Sequence, residues 1–298
     1  MRACLPGWLT GLVLCLVLLP ASARTVTLTL ERNGHPLTLS ADYRPGETGR
    51  PAVLILHGFL TTNRFSTVRA MSETAEERGL TVLAPNLSYC YTHRRAPLQC
   101  TSLHRHTLQG DLQELDHWID WLKKQGHRQV ILVGHSSGST LLLAWTASRT
   151  QTPVHGLILT SLFPLSGGRL GTRSEEISLA RSLLKSGNPL PKKWHFLYCR
   201  GNYLATPESF LSYVEALDRA HILQWLKSVS QRLPVEIIMG GADRRYAKAG
   251  RDLLDAYRQQ GARVIVIEGA SHFFDGEHEF ELQDHLDRLL NELEKEHQ

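Results

Sequence analysis

The sequence contains no block of Lys or Arg, no internal repeat and no low-complexity tract. Its 33 basic residues against 29 acidic ones give a formal charge of +4, spread along the chain. So small and scattered an excess makes no electrostatic footprint for nucleic acid, and no nucleic-acid partner is expected. Charged residues at 21% and apolar ones at 42% are ordinary for a packed domain, which excludes a disordered or fibrous chain. Cysteine is scarce, with five in 298 residues. Beyond the first 23 residues no apolar run reaches the ~20 residues that a membrane-spanning helix needs.

What is present begins with a leader. Arg2 supplies a positive start, Leu9 to Leu19 is a short apolar run, and Ala21-Ser22-Ala23 is a small-x-small site before Arg24. This pattern predicts a signal peptide over 1–23 and a mature chain of 24–298. The expectation is an exported protein, periplasmic or secreted, with no stable membrane insertion after cleavage. Cys4 and Cys15 leave with the leader, and Cys90, Cys100 and Cys199 remain. An odd count leaves at least one thiol free or paired between chains.

Thr25 to Leu30 and Leu37 to Tyr43 alternate apolar and polar residues around Asn33-Gly34, which predicts a hairpin. Six later runs do not alternate: Pro51 to Leu56, Leu80 to Ala84, Gln129 to Val133, Val154 to Leu162, Val235 to Met239 and Val264 to Ile267. Runs of this kind suit strands covered on both faces of a parallel sheet. Between them lie helical patterns, the clearest being Leu108, Leu112, Leu115, Ile119 and Leu122. The reading is an α/β fold, doubly wound around a mainly parallel sheet. About 70 residues between the runs ending near Phe163 and starting at Val235 exceed any single crossover. They predict an inserted helical cap at about 164–232.

The sharpest motif is Gly134-His135-Ser136-Ser137-Gly138, between a strand and a helix. A serine on such a turn is held in a strained conformation with its hydroxyl projecting outward, and the glycines allow strand and helix to approach. A serine hydroxyl needs a base, and the base needs an orienting carboxylate. Asp243 follows the run Val235 to Met239, and His272 follows Val264 to Ile267, so each stands at a strand end. Candidate oxyanion donors are the backbone N–H groups of Ser137 and of Phe59 in His57-Gly58-Phe59-Leu60, with Leu60 as the second choice in that loop. His57 is expected to brace that loop and His135 to be packed. Asp275 and Glu277 are expected to begin the C-terminal helix.

With these residues in place the chain resembles the α/β-hydrolase family over essentially its whole mature length. The resemblance implies Ser136 as nucleophile, His272 as base, Asp243 as acid, a cap over the site and no diffusible cofactor. It does not fix the substrate, and the expectation adopted is a small-molecule acyl substrate cleaved at an ester-type bond through an acyl-enzyme. Thioesterase, amidase or acyltransferase chemistry with the same residues stays open, as does a non-catalytic binding protein of this fold.

Cys90 to His106 is the least conventional stretch. Its Cys and His spacing matches no zinc pattern, so no metal is expected. In an exported chain a Cys90–Cys100 disulfide is expected there, leaving Cys199 as a buried thiol. His and Arg residues in the stretch either face solvent or line the substrate site.

Overall fold

A computed structural model describes residues 23–32, 34–164, 172–187, 189–249 and 252–295. The expected signal peptide lies outside them but for Ala23. Among the described residues no helix is long and apolar enough to cross a membrane.

In chain order the elements are β1 (Arg24–Arg32), β2 (His35–Arg44), β3 (Ala52–Leu56), α1 (Ser66–Glu77), β4 (Thr81–Asn86) and α2 (Leu108–Lys124). They continue with β5 (Val130–His135), α3 (Ser137–Ser148), β6 (Val154–Thr160), α4 (Ser174–Lys185), β7 (Lys192–Trp194) and β8 (Tyr203–Ala205). The remainder are α5 (Pro207–Val214), α6 (Arg219–Ser230), β9 (Val235–Gly240), α7 (Arg244–Ala249), α8 (Asp252–Gln259), β10 (Arg263–Ile267) and α9 (His278–Lys295).

Eight strands form one sheet in the order β1-β2-β4-β3-β5-β6-β9-β10. The β1–β2 hairpin and the β2–β4 pair are antiparallel, and all other neighbours run parallel. Every residue of β3, β4, β5, β6 and β9 is buried, which is why these segments show no polar alternation. The last run differs from expectation. β10 is an edge strand, and of its residues Ile267 alone is buried. Its Arg263 bonds Glu236 at 2.5 Å and also meets Glu292.

Helices cover both faces. Val68, Met71 and Ala75 of α1 meet Leu282, Leu286, Leu289 and Leu290 of α9 on one side. Leu112, Leu115, Trp118 and Ile119 of α2 join Leu141 to Trp145 of α3 on the other. The chain goes from β3 to β4 on one side and then returns to β5 on the other side of β3. Winding reverses there, and in such sheets a crevice opens at the carboxyl ends of the two diverging strands.

The stretch between β6 and β9 is not wholly helical. It contains α4, the antiparallel β7–β8 pair, α5 and α6, while 165–171 fall outside the described residues. Helix α6 packs on α3 in the body and acts as the crossover into β9. Helix α4 packs on α5 and buries Ala180 alone.

The disulfide expectation is overturned. Cys100 bonds Cys199, with Cα atoms 5.6 Å apart and a sequence separation of 99, and Cys90 is a free thiol. Backbone pairing explains the choice. Leu204 N–H donates to Cys100 O at 2.9 Å, His104 N–H to Leu204 O at 2.8 Å, and Thr206 N–H to His104 O at 3.1 Å. Residues 100–104 therefore run beside β8, which brings Cys199 to Cys100. Cys90 stands instead beside Arg32, its Sγ 3.8 Å from the guanidinium.

Candidate active site

The turn between β5 and α3 places Ser136 at the crevice. Its φ is 56°, a left-handed conformation unfavourable for a residue with a side chain, and its N–H is tied to Thr160 O at 2.9 Å. The flanking glycines are explained by distance. A Cβ on Gly134 would stand 2.6 Å from Ser139 N, and one on Gly138 would stand 2.5 Å from His57 O. Neither position accepts any other residue without moving backbone.

His272 comes from the loop after β10 and meets Ser136 across the sheet edge. Its Nε2 lies 2.9 Å from Ser136 Oγ, and its Nδ1 lies 2.5 Å from Asp243 Oδ2. A carboxylate can only accept, so Nδ1 carries the proton and Nε2 accepts from the serine hydroxyl. Burial pushes the His272 imidazole below its ordinary value, Asp243 opposes that shift, and the Arg245 guanidinium adds to it. Asp243 is buried and takes the Arg245 N–H at 2.8 Å on its other oxygen. Such a chain of hydroxyl, imidazole and carboxylate can move a proton off the serine while the carboxylate fixes the tautomer.

Asp275 does not compete for His272. It is bonded to the Ser271 hydroxyl on the exposed side of the loop, and that bond, with one from its own backbone N–H, depresses its carboxyl. Asp275 and Glu277 also do not begin a helix, because α9 starts at His278 after a turn through Phe274 and Gly276 with positive φ. His135 is packed: its Nδ1 is 3.0 Å from Thr160 Oγ1, its ring stacks on Phe65, and burial holds it well below the usual histidine range.

The loop after β3 lies against the elbow, so close that a Cβ on Gly58 would be 3.4 Å from Ser136 Cβ. Phe59 follows, its ring among Phe196, Tyr198 and Tyr203 at centroid distances of 5.3, 5.7 and 5.7 Å. His57 is held within the loop by Nδ1–H to Gly58 O at 2.7 Å. Its Nε2 accepts from Leu87 N–H at 3.1 Å and from Arg94 at 2.8 Å. Burial, reinforced by the Arg94 cation, pushes this imidazole down to about 3, so it is neutral.

Three residues around this site escape sequence reading. Arg94 is neither solvated nor substrate-lining but buried, and its guanidinium also reaches Leu87 O at 2.5 Å, Thr61 O at 2.8 Å and Ala96 O at 3.0 Å. It locks the Phe59 loop to the loop after β4. Ser161, at φ 50°, donates its hydroxyl to His272 O at 2.9 Å and so fixes the imidazole loop. Tyr198, from the segment between β7 and β8, donates its hydroxyl to Phe59 O at 3.4 Å. Each acts between segments distant in sequence, so no local pattern signals it.

Behind Phe59 lies a second polar cluster. Asp111 Oδ2 holds His106 Nδ1 at 3.0 Å and the Tyr213 hydroxyl, tying α2 to α5. Glu114 takes Ser88 N–H at 2.8 Å, and burial with the Asp111 charge pushes its carboxyl up to about 7. No group of three or more His, Cys, Asp or Glu among the described residues is arranged to hold a metal ion.

A model of the alpha/beta hydrolase family matches residues 53–282. No curated protein matches the chain. Solved structures of similar fold include Est1E from Butyrivibrio proteoclasticus, 18% identical with a TM-score of 0.62 over 90% of this chain and 98% of that one. The alpha/beta hydrolase GrgF from Penicillium sp. sh18 is 14% identical with a TM-score of 0.64 over 91% and 98%. Epoxide hydrolase VrEH1 from Vigna radiata is 20% identical with a TM-score of 0.54 over 90% and 98%. At these identities the neighbours speak for the fold alone. The family match over 53–282, on a sheet that carries the elbow between β5 and α3, places the chain in the alpha/beta hydrolase family.

Proposed function

We propose that the protein is an exported serine hydrolase that cleaves a carboxylic-ester-type bond. The observation that carries this is the continuous bonding from Asp243 through His272 to Ser136, at 2.5 and 2.9 Å. In this reading His272 Nε2 takes the hydroxyl proton as Ser136 Oγ attacks the carbonyl carbon. The negative oxygen of the tetrahedral intermediate points at the N–H groups of Phe59 and Ser137, each donor of this kind worth a few kcal/mol, roughly 3–4. His272 then returns its proton to the leaving alkoxide, and the alcohol departs to leave acyl-Ser136. Water, deprotonated by His272, attacks that ester, and the acid leaves as Ser136 regains its proton.

Export is supported by the leader pattern over 1–23 and by the Cys100–Cys199 disulfide, which belongs to an oxidising compartment. The segment 164–232, less α6, is read as a cap, since Phe196, Tyr198 and Tyr203 pack on Phe59 beside Ser136. A fluorophosphonate probe tests the reading, because only an activated serine reacts. Wild type should label once, at Ser136, and Ser136→Ala should lose the label while keeping its thermal midpoint. Labelling at another serine, or none in folded wild type, would refute it.

A further inference from the structure

Arg245 is the second residue after Asp243, and its backbone and side chain behave differently. Its N–H donates to Asp243 Oδ1 at 2.8 Å, but its guanidinium Nη1 stays 3.9 Å from that oxygen. That distance is an ion pair without a hydrogen bond. Among the described residues the guanidinium has no closer polar partner, and the side chain is 31% exposed. Arg50, Arg78, Arg149 and Arg263 behave otherwise, each holding a carboxylate oxygen at 3.0 Å or closer. Five N–H donors in a rigid planar fork thus remain to be used, and their geometry matches a carboxylate.

This fork stands beside the triad, because its Nη1 is 3.9 Å from Asp243 Oδ1 and Asp243 Oδ2 is 2.5 Å from His272 Nδ1. The guanidinium lowers the proton affinity of His272, of His135 in the elbow and of Tyr198 in the inserted segment. His135 and His272 adjoin Ser136, and Tyr198 donates to Phe59 O in the neighbouring loop. Tyr198 is 52% exposed, Phe273, beside His272, is 40% exposed, and Ser136 is half-buried.

We propose that Arg245 is a specificity-determining residue that binds a carboxylate carried by the substrate near its scissile ester, so that monoanionic half-esters are preferred over neutral esters. The proposal rests on the serine-hydrolase reading above. The bound carboxylate does not change during the reaction, so its contribution is made equally in ground and transition states and appears mainly in KM.

The experiment compares monoethyl succinate with ethyl levulinate, its neutral near-isostere, by ethanol release. Wild type should favour the succinate in kcat/KM by about tenfold or more, with a succinate KM that rises with added salt while the levulinate KM does not. Arg245→Gln should remove most of that preference through KM, and Arg245→Lys should keep part of it. At a pH above the acid limb of both enzymes, equal handling of both esters by wild type overturns the proposal, as does a loss in Arg245→Gln that falls equally on both. Cleavage of neither ester by enzyme that still labels at Ser136 overturns it too, and leaves the hydrolase reading standing. Absent labelling overturns that reading first. If Arg245→Gln does not fold, the wild-type preference, its salt dependence and Arg245→Lys decide.

Discussion

The elbow at Ser136 and the loop between β4 and α2 both hold residues in left-handed backbone conformations, but for different reasons. At the elbow, φ 56° is imposed within five residues, since glycines at 134 and 138 leave room for one tight path. In the loop, Tyr89, Cys90 and His93 have φ of 50, 66 and 52°, and none has a glycine neighbour. They are held from far away: His93 N–H by Thr38 O at 2.8 Å, the Ser88 amide beside them by Glu114 at 2.8 Å, and the Cys90 thiol by Arg32. Strain imposed locally leaves a motif in the sequence, whereas strain held by distant partners leaves none. The loop is tied to the Phe59 loop beside the elbow by Arg94, which bonds His57 and Thr61 O.

The largest effect should come from the local side of this contrast. Asp243→Asn puts the wrong tautomer on His272 and should lower kcat about 10⁴-fold, while Asp275→Asn should stay close to wild type. Steady-state rates on one ester decide it, and the reverse ranking would break the assignment. The non-local side should show in stability. Cys199→Ser opens a closure of 99 positions and should lower unfolding free energy by about 2–5 kcal/mol in a denaturant melt. Cys90→Ser should cost much less, and an equal loss from both would blur the distinction. The smallest effect joins the two sides through charge. His272 must be neutral to accept the serine proton, so kcat/KM is retained above its pKa and lost as pH falls through it. Removing the Arg245 cation raises that pKa, so the acid limb of Arg245→Gln should move to higher pH, read from a pH–rate profile.

These particulars also explain what the sequence could convey. Strands buried on both faces, and a helix with apolar residues on one side such as α2, carry their pattern in consecutive residues. The order of Ser136, Asp243 and His272 at strand ends follows from the same pattern, and His272 lies within bonding distance of both others. β7 and β8 are three residues each, too short for any period, and they decide which cysteines meet. Proximity in sequence suggested Cys90 for Cys100, but the ladder beside β8 supplies Cys199. Nothing in the sequence marks Arg94 as buried, because its partners, the carbonyls of Leu87, Thr61 and Ala96, are features of backbone path rather than residue type. Edge position likewise cannot be read from β10, whose composition matches that of the central strands.

The Cys100–Cys199 bond closes a covalent ring that contains Ser136 and α4 but neither Asp243 nor His272. Helix α4, with Ala180 its one buried residue, offers its backbone to a protease more readily than the strands do. A cut there would put the serine on one fragment and its two partners on the other. The ring keeps the fragments in one molecule, so a chain nicked in α4 migrates as a single species until a thiol reductant separates it into two. In protease-rich surroundings the enzyme would thereby outlast the breaking of its own backbone.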